Sequence, residues 1–306
     1  MTTSTLSDGS GNYQFSSLVV GGNYTVTPAK AALKPGTPGI NTVDVVAVQR
    51  HFLVVGTPLS GCRLTAADVN GDTAVNTVDV IAIQRFALGM VTGIANTGKY
   101  QFNPVNRTYP VVVSDQTAQN YDALVFGDVA TGFVHRPEGP EGLASDNMSI
   151  SEVASTVAAV ALPEVAVAPS RSTVNVPITT TEIDAKNKLV GFQGDLTFDE
   201  RVVTFQSQPV SNAGLTGGNW NVSGNVLPGA GPIRTLRISA YSNDFTPLSG
   251  SGTLFELRMI RGNPGAQSTH LIWAAPPNDL MFIDADLNTQ RAGNTAPGSV
   301  TTSGKR

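Results

Sequence analysis

The spacing of hydrophobic positions divides the chain into parts of different character. In the last 150 or so residues the apolar positions alternate: Val174, Val176 and Ile178 share one side of "TVNVPI", Val190, Phe192, Leu196 and Phe198 one side of "LVGFQGDLTF", and Phe255, Leu257 and Met259 one side of "TLFELRMI". A period of two is that of a strand with one buried face. The turn-formers "GGNW", "LPGAGP", "LSGSG" and "RGNPG" separate these runs, which predicts an antiparallel β-sandwich over 158–306. Glu256 and Arg258 face outward as a solvated pair. Upstream the period becomes helical. "INTVDVVAVQRHFL" (40–53) recurs as "VNTVDVIAIQRFAL" (75–88), an internal repeat at an offset of 35 residues. On the second copy Val80, Ile83 and Ala87 make one stripe, enough to anchor a helix to its own core. A second stripe remains: Val78, Ile81 and Leu88, flanked by Thr77, Gln84 and Arg85. The first copy repeats it with Val43, Val46 and Leu53 beside Thr42, Gln49 and Arg50. An apolar strip rimmed by an arginine and small hydroxyls predicts a protein partner; the alternative is that the two copies pack these stripes on each other.

Between the copies lies "DVNGDTAVNTVD" (68–79), which sets oxygens at the spacing of a twelve-residue calcium loop. Asp68, Asn70 and Asp72 supply side-chain oxygens, Ala74 its carbonyl, Asn76 a water-mediated contact and Asp79 the closing carboxylate. Position six, normally glycine because the chain bends there with positive φ, is Thr73, and the closing acid is one methylene shorter than glutamate. The first copy has Leu33, Pro35 and Thr37 where the acids belong. One calcium is therefore expected, with Asn41 and Asp44 acting as turn and cap residues.

Residues 1–30 read as two strands, Tyr13–Phe15 and Tyr24–Thr27, joined through Gly21-Gly22, and two strands alone do not fold. Residues 96–134 carry strands such as Val111–Val113 and are expected to pack a small sheet on the helices; 135–157 is Pro-, Gly- and Glu-rich linker. Across 306 residues with 41% hydrophobic content and a net charge of −4, basic residues gather nowhere, which argues against nucleic acid or an anionic membrane as partner. No apolar run is long enough to cross a bilayer. Cys62 is the sole cysteine, so no internal disulfide can form.

The duplicated "VNTVD" helix unit with its "LSGCRLTAADVNGD" connection resembles a dockerin, placing a small α, EF-hand-type module at 31–134. The resemblance implies partner contacts through Thr77, Val78, Gln84 and Arg85 and through Thr42, Val43, Gln49 and Arg50. "VPITTTEIDAKNKLVGFQGDLTFDERVVTF", "TLRISAYS" and "GSGTLFELRM" are similar to a cohesin, the jelly-roll partner fold of dockerins. "DGSGNYQFSSLVVGGNYTVTP" resembles the closing half of a carboxypeptidase-regulatory-like sandwich. Together they imply a multidomain, secreted bacterial surface protein that docks a cohesin or dockerin of another copy or another protein. Head-to-tail docking of identical chains gives a fibre unless the contact closes into a ring. The alternatives are a scaffold fragment recruiting polysaccharide-degrading enzymes and a carbohydrate-binding protein, for which Trp220, Tyr241 and Trp273 are the candidate aromatics.

Catalysis finds little support. His51, His135 and His270 are scattered, no P-loop or nucleophile elbow occurs, and Asp195, Asp199 and Glu200 sit at a predicted turn where paired carboxylates are commonplace. "DADLN" (284–288) reads as a plain hairpin turn.

Overall fold

The computed structural model describes residues 2–130, 157–168, 172–262, 267–293 and 296–302. His135 and all but Val157 of the expected linker lie outside them. In the first half, strand β1 (Gly22–Val26) is followed by helices α1 (Thr42–Phe52), α2 (Gly61–Ala67) and α3 (Thr77–Ala87) and strands β2 (Tyr100–Asn103), β3 (Arg107–Val112) and β4 (Asp122–Val125). Both repeat helices begin in the same way. Asn41 accepts from the Val43 N–H while Asp44 accepts from the Asn41 N–H, and Asn76 and Asp79 do the same for α3. Such reciprocal caps satisfy amides that have no partner inside the helix. Val80, Ile83 and Ala87 are buried as the helical period requires. Val80 and Ile83 join Val45, Val48, Ala66, Val69 and Phe86, on which the β2–β4 pair closes through Leu124, Val125 and the adjoining Phe126.

The N-terminal expectation needs correction. Tyr13–Phe15 forms no strand and no hairpin turns at Gly21-Gly22; instead β1 pairs antiparallel with β3, more than eighty residues on. Tyr13 donates its hydroxyl to the Gln119 carbonyl and Tyr121 to that of Val26, so this stretch joins the 96–130 extension.

The second half is a β-sandwich. Its strands are β5 (Val160–Ala161), β6 (Glu164–Val167), β7 (Thr173–Ile183), β8 (Leu189–Asp199), β9 (Val203–Asn212), β10 (Trp220–Val226), β11 (Ile233–Ser242), β12 (Gly250–Arg261), β13 (Gln267–Trp273), β14 (Met281–Asp284), β15 (Thr289–Arg291) and β16 (Gly298–Thr302). One sheet runs β10-β11-β8-β13-β16-β6 with β14 and β15 joined at β8; the other runs β5-β7-β12-β9. All pairings are antiparallel except β16 with β6. Between the sheets lie Val176, Ile178, Phe192, Leu196, Phe198, Phe255, Leu257 and Met259, the residues the alternation predicts. Val190 departs: it is buried, but among the helix residues rather than between the sheets, next to the register shift where β14 meets β8. Glu256 and Arg258 do not pair with each other; they bond Asn175 and Gln208 across neighbouring strands. "DADLN" is the β14–β15 hairpin turn, in which the Asp284 carboxylate accepts the amides of Asp286 and Asn288.

Candidate functional site: an internal docking seam and an acidic loop

Strand alternation gives β8, β10 and β11 two faces. Leu189 and Val190 at the start of β8 apart, the even-numbered apolar residues enter the sandwich core, and the odd-numbered ones, from Gly191, Gln193 and Asp195 to Asn221, Asn225, Arg237, Ser239 and Tyr241, face the helices. Val43 and Val46 of α1 are buried with Val190, Tyr241 and Ile283 in one apolar cluster. Burial pushes the Tyr241 phenol up to about 12. Val46 lies so close to the sheet that a Cβ on Gly191 would meet its Cγ2 at 2.9 Å. That glycine is needed for the approach of a helix rather than for backbone freedom.

Polar contacts frame this apolar centre, and several complete helix ends. Thr42, the first residue of α1, donates its free N–H to Gln193 Oε1 at 2.8 Å and its hydroxyl to Ser239 at 2.9 Å. At the far end of α3 the exposed carbonyls are taken by the sandwich: Asn225 donates to Leu88 O at 2.9 Å and Arg237 Nη1 to Ala87 O at 3.3 Å and Gly36 O at 2.8 Å. A guanidinium at a helix C-terminus also complements the helix dipole. Asp195 holds that guanidinium in place with two bonds of 2.9 and 2.8 Å. Gln49 reaches Asn243 O at 2.7 Å, Arg50 the Ala285 carbonyl at 3.1 Å, and Gln84 both Asn221 Oδ1 and Ser239 O.

Of the twelve residues expected to meet a partner, the structure therefore brings Thr42, Val43, Val46, Gln49, Arg50 and Gln84 against the chain's own sandwich. Leu53 is half-buried at the end of α1. Leu88, expected on the open stripe, is instead 1% exposed, because α3 ends over Asn225. Thr77, Val78 and Ile81 stay open, the last two at 55% and 45%; Arg85 lies beside them, bonded to the Thr92 carbonyl. Val78, Ile81, Ala82 and Arg85 line a shallow groove with Gly93 and Ala95. The two equivalent stripes thus differ in fate, and they do not pack on each other. Sequence reasoning missed the sandwich half of the seam. Gln193, Ser239, Arg237, Asn221 and Asn225 stand at outward strand positions, where polar residues are normally solvated, and only Gly191 amid an outward row hinted at a close neighbour.

The acidic loop is held by amide bonds to its own carboxylates. Thr73 is forced to φ +72°. Asp68 accepts the N–H groups of Gly71, Asp72 and Thr73, Asp72 that of Ala74, and the buried Asp79 those of Asn70 and Asn76. Burial, with the nearby Asp68 charge, pushes the Asp79 carboxyl up against those bonds. No ion pair of the described residues engages any of the three aspartates. Among the described residues no three His, Cys, Asp or Glu side chains form a ready cluster for a metal; a cage must also use the oxygens of Asn70, Ala74 and Asn76. That all-oxygen donor set, anionic and uncompensated, fits a hard cation such as calcium. In the first copy Asp44 Oδ1 instead accepts the N–H groups of Val129 and Ala130, both at 2.9 Å. Burial, then the charge of Asp128, raises its carboxyl to about 7.

The other candidates lose their basis. Asp195, Asp199 and Glu200 are each held by a separate arginine, Arg237, Arg201 and Arg234, so they do not face one another across a cleft. Trp220, Tyr241 and Trp273 are 7%, 4% and 5% exposed and offer no stacking surface to a sugar. His51 accepts the Leu59 N–H through Nδ1. Among the described residues no helix is long and apolar enough to cross a membrane.

Neither a family model nor a curated protein matches the chain. Solved structures similar to it are cohesin modules. The sixth cohesin of scaffoldin B from Acetivibrio cellulolyticus, solved in complex with a Cel5 dockerin, is 16% identical with a TM-score of 0.36, over 48% of this chain and 99% of that one. A non-cellulosomal cohesin from the archaeon Archaeoglobus fulgidus is 20% identical with a TM-score of 0.34, over 47% and 90%. A cohesin module of a family 33 glycoside hydrolase from Clostridium perfringens is 10% identical with a TM-score of 0.37, over 49% and 100%.

Proposed function

We propose that this chain is a non-catalytic extracellular assembly protein whose dockerin-like helical module and cohesin-like sandwich are a matched docking pair, with calcium ordering the 68–79 loop. The observation that carries this reading is the seam itself. Side chains of the sandwich cap the start of α1 and the end of α3 around a shared apolar cluster, and a fortuitous contact between tethered domains has no reason to complete helix ends. The halves are joined only through residues 131–156. The same seam made between copies is heterologous and, unless it closes into a ring, extends head to tail into a fibre. The open α3 stripe, equivalent in sequence to the seated α1 stripe, is the second face by which another sandwich can be engaged.

A protease site inserted in the 131–156 tether tests the pairing. After cleavage the two halves are expected to co-elute as one species, and the uncut chain to form dimers and longer oligomers as its concentration rises. Halves that separate on cleavage, with an uncut chain that is monomeric throughout, would reject the proposal. Calcium titration by calorimetry is expected to give about one equivalent, in the roughly 0.1–1 mM range of extracellular sites because Thr73 strains the loop. Asp68→Asn should abolish the binding heat; a full signal from that variant would place the ion elsewhere.

A further inference from the structure

The two copies of the repeat differ in what holds the aspartate that opens each helix. Asp79 turns toward its own loop, where the amides of Asn70 and Asn76 are its partners. Asp44 has no such loop, because Leu33, Pro35 and Thr37 occupy the ligand positions. Its carboxylate, 1% exposed, instead collects the N–H of Asn41 and the successive N–H groups of Val129 and Ala130. Two successive amides converge in this way on one carboxylate oxygen. The segment that carries them is fixed on its other side. Gly127 N–H donates to Ala66 O at 2.8 Å, and Phe126 exchanges backbone bonds with Gly98 and Lys99. At Gly127 φ is +92° and a Cβ would strike Thr97 at 2.6 Å, so the tight return depends on that glycine.

We infer that the backbone amides of Val129 and Ala130, rather than a cation, hold Asp44 in the first copy, so that the seam between α1 and the sandwich stands without calcium while calcium acts on the second copy alone. The inference rests on the docking reading above and divides its labour. The metal-free copy makes the permanent contact through Thr42, Val43, Val46 and Gln49. The copy with the oxygen-rich loop presents the open stripe, Thr77, Val78 and Ile81, and only that stripe is ordered by the ion. The seam contacts made by α1 lie on one face of the helix, roughly opposite the side from which Asp44 reaches Val129 and Ala130, and the α3 contacts come from its C-terminal end, away from the loop.

Hydrogen exchange of the full chain in calcium and then in chelator tests this. Chelation is expected to speed exchange roughly ten-fold or more in 68–79 and the first turn of α3, and to leave 42–52 and the facing strands β8 and β11 within about two-fold. Asp44→Asn should do the reverse: calcium stoichiometry stays at one equivalent while 127–130 and α1 lose protection. Loss of α1 protection on chelation, or a drop in calcium stoichiometry in Asp44→Asn, would overturn the inference. Should that variant fail to fold, the wild-type comparison still decides. The docking reading fails by a different signature, separation of the cleaved halves in calcium, so the two failures are distinguishable.

Discussion

Phe192→Ala is expected to destabilise the sandwich by about 3–5 kcal/mol, the range for deleting a fully buried phenylalanine. Phe192 is 0% exposed at the centre of β8, the strand that pairs with β11, β13 and β14. Its ring lies 5.7 Å from that of Phe255 and 6.0 Å from Trp220, both stacked, and 6.2 Å from Phe282, edge on. Three aromatic neighbours held by two sheets cannot collapse into the space together, so most of the cavity persists and the cost stays near the top of the range. Urea denaturation monitored by tryptophan fluorescence measures it directly, because Trp220 is one of the rings that lose a partner. A loss below about 1 kcal/mol would mean that β8 is not the centre of the core.

That expectation depends on strand alternation, the most legible part of the sequence. Val176, Ile178, Phe192, Leu196, Phe255, Leu257 and Met259 could be assigned to one core because a strand with a single buried face admits no other period. The helix starts were legible for a similar reason: Asn41 with Asp44 and Asn76 with Asp79 satisfy orphan amides within three residues, and a local hydrogen bond is written in local sequence. Loop spacing marked position six as a place of positive φ, and Thr73 takes that conformation although its branched side chain resists it. What could not be read was decided by segments far apart in the chain. β1 finds β3 rather than Tyr13–Phe15, since edge pairing is specified by what lies nearby in space. Leu88 and Val190 were correctly marked apolar but given the wrong neighbours, because periodicity says that a face is covered and not by what.

The seam is the clearest instance. The α1 stripe was recognised as wanting a cover, and its cover proved to be the odd-numbered face of β8, β10 and β11. That face looked ordinary because Gln193, Asp195, Arg237 and Ser239 are polar, and outward polar residues on a strand are the rule. Their partners are helix-end amides and carbonyls, groups every sequence possesses and none advertises. Of the acidic residues, Asp195 was weighed as half of a catalytic pair, yet its work is to orient Arg237 toward Gly36 and Ala87.

Gly191→Leu should free the helical module while leaving the sandwich folded. Residue 191 is one position from Phe192 and therefore points to the opposite face, where Val46 Cγ2 would sit 2.9 Å from the new Cβ before any of the leucine's remaining carbons are placed. Ala240 O at 3.2 Å and Ile283 Cβ at 3.5 Å close the other directions, so the side chain can only rise into the space α1 occupies. Overpacking of a fixed core costs about 1–3 kcal/mol, but here the overpacked contact is the seam between the two halves, which can part instead. With the seam open, Thr42, Gln193, Asn225 and Arg237 recover water as partner, so few polar groups resist the separation, and the apolar cluster of Val43, Val46, Tyr241 and Ile283 is the main loss. Small-angle scattering is expected to show a clear rise in radius of gyration with an interdomain distance distribution of two lobes, and urea unfolding of the sandwich to stay within about 1 kcal/mol of the parent. Near-ultraviolet spectra should report Tyr241 in water, and its phenol should titrate below about 12 once α1 no longer buries it. A variant that keeps the compact scattering profile and the raised Tyr241 titration would show that α1 does not rest on this glycine, and the docking surface would have to be sought on another face of the sandwich.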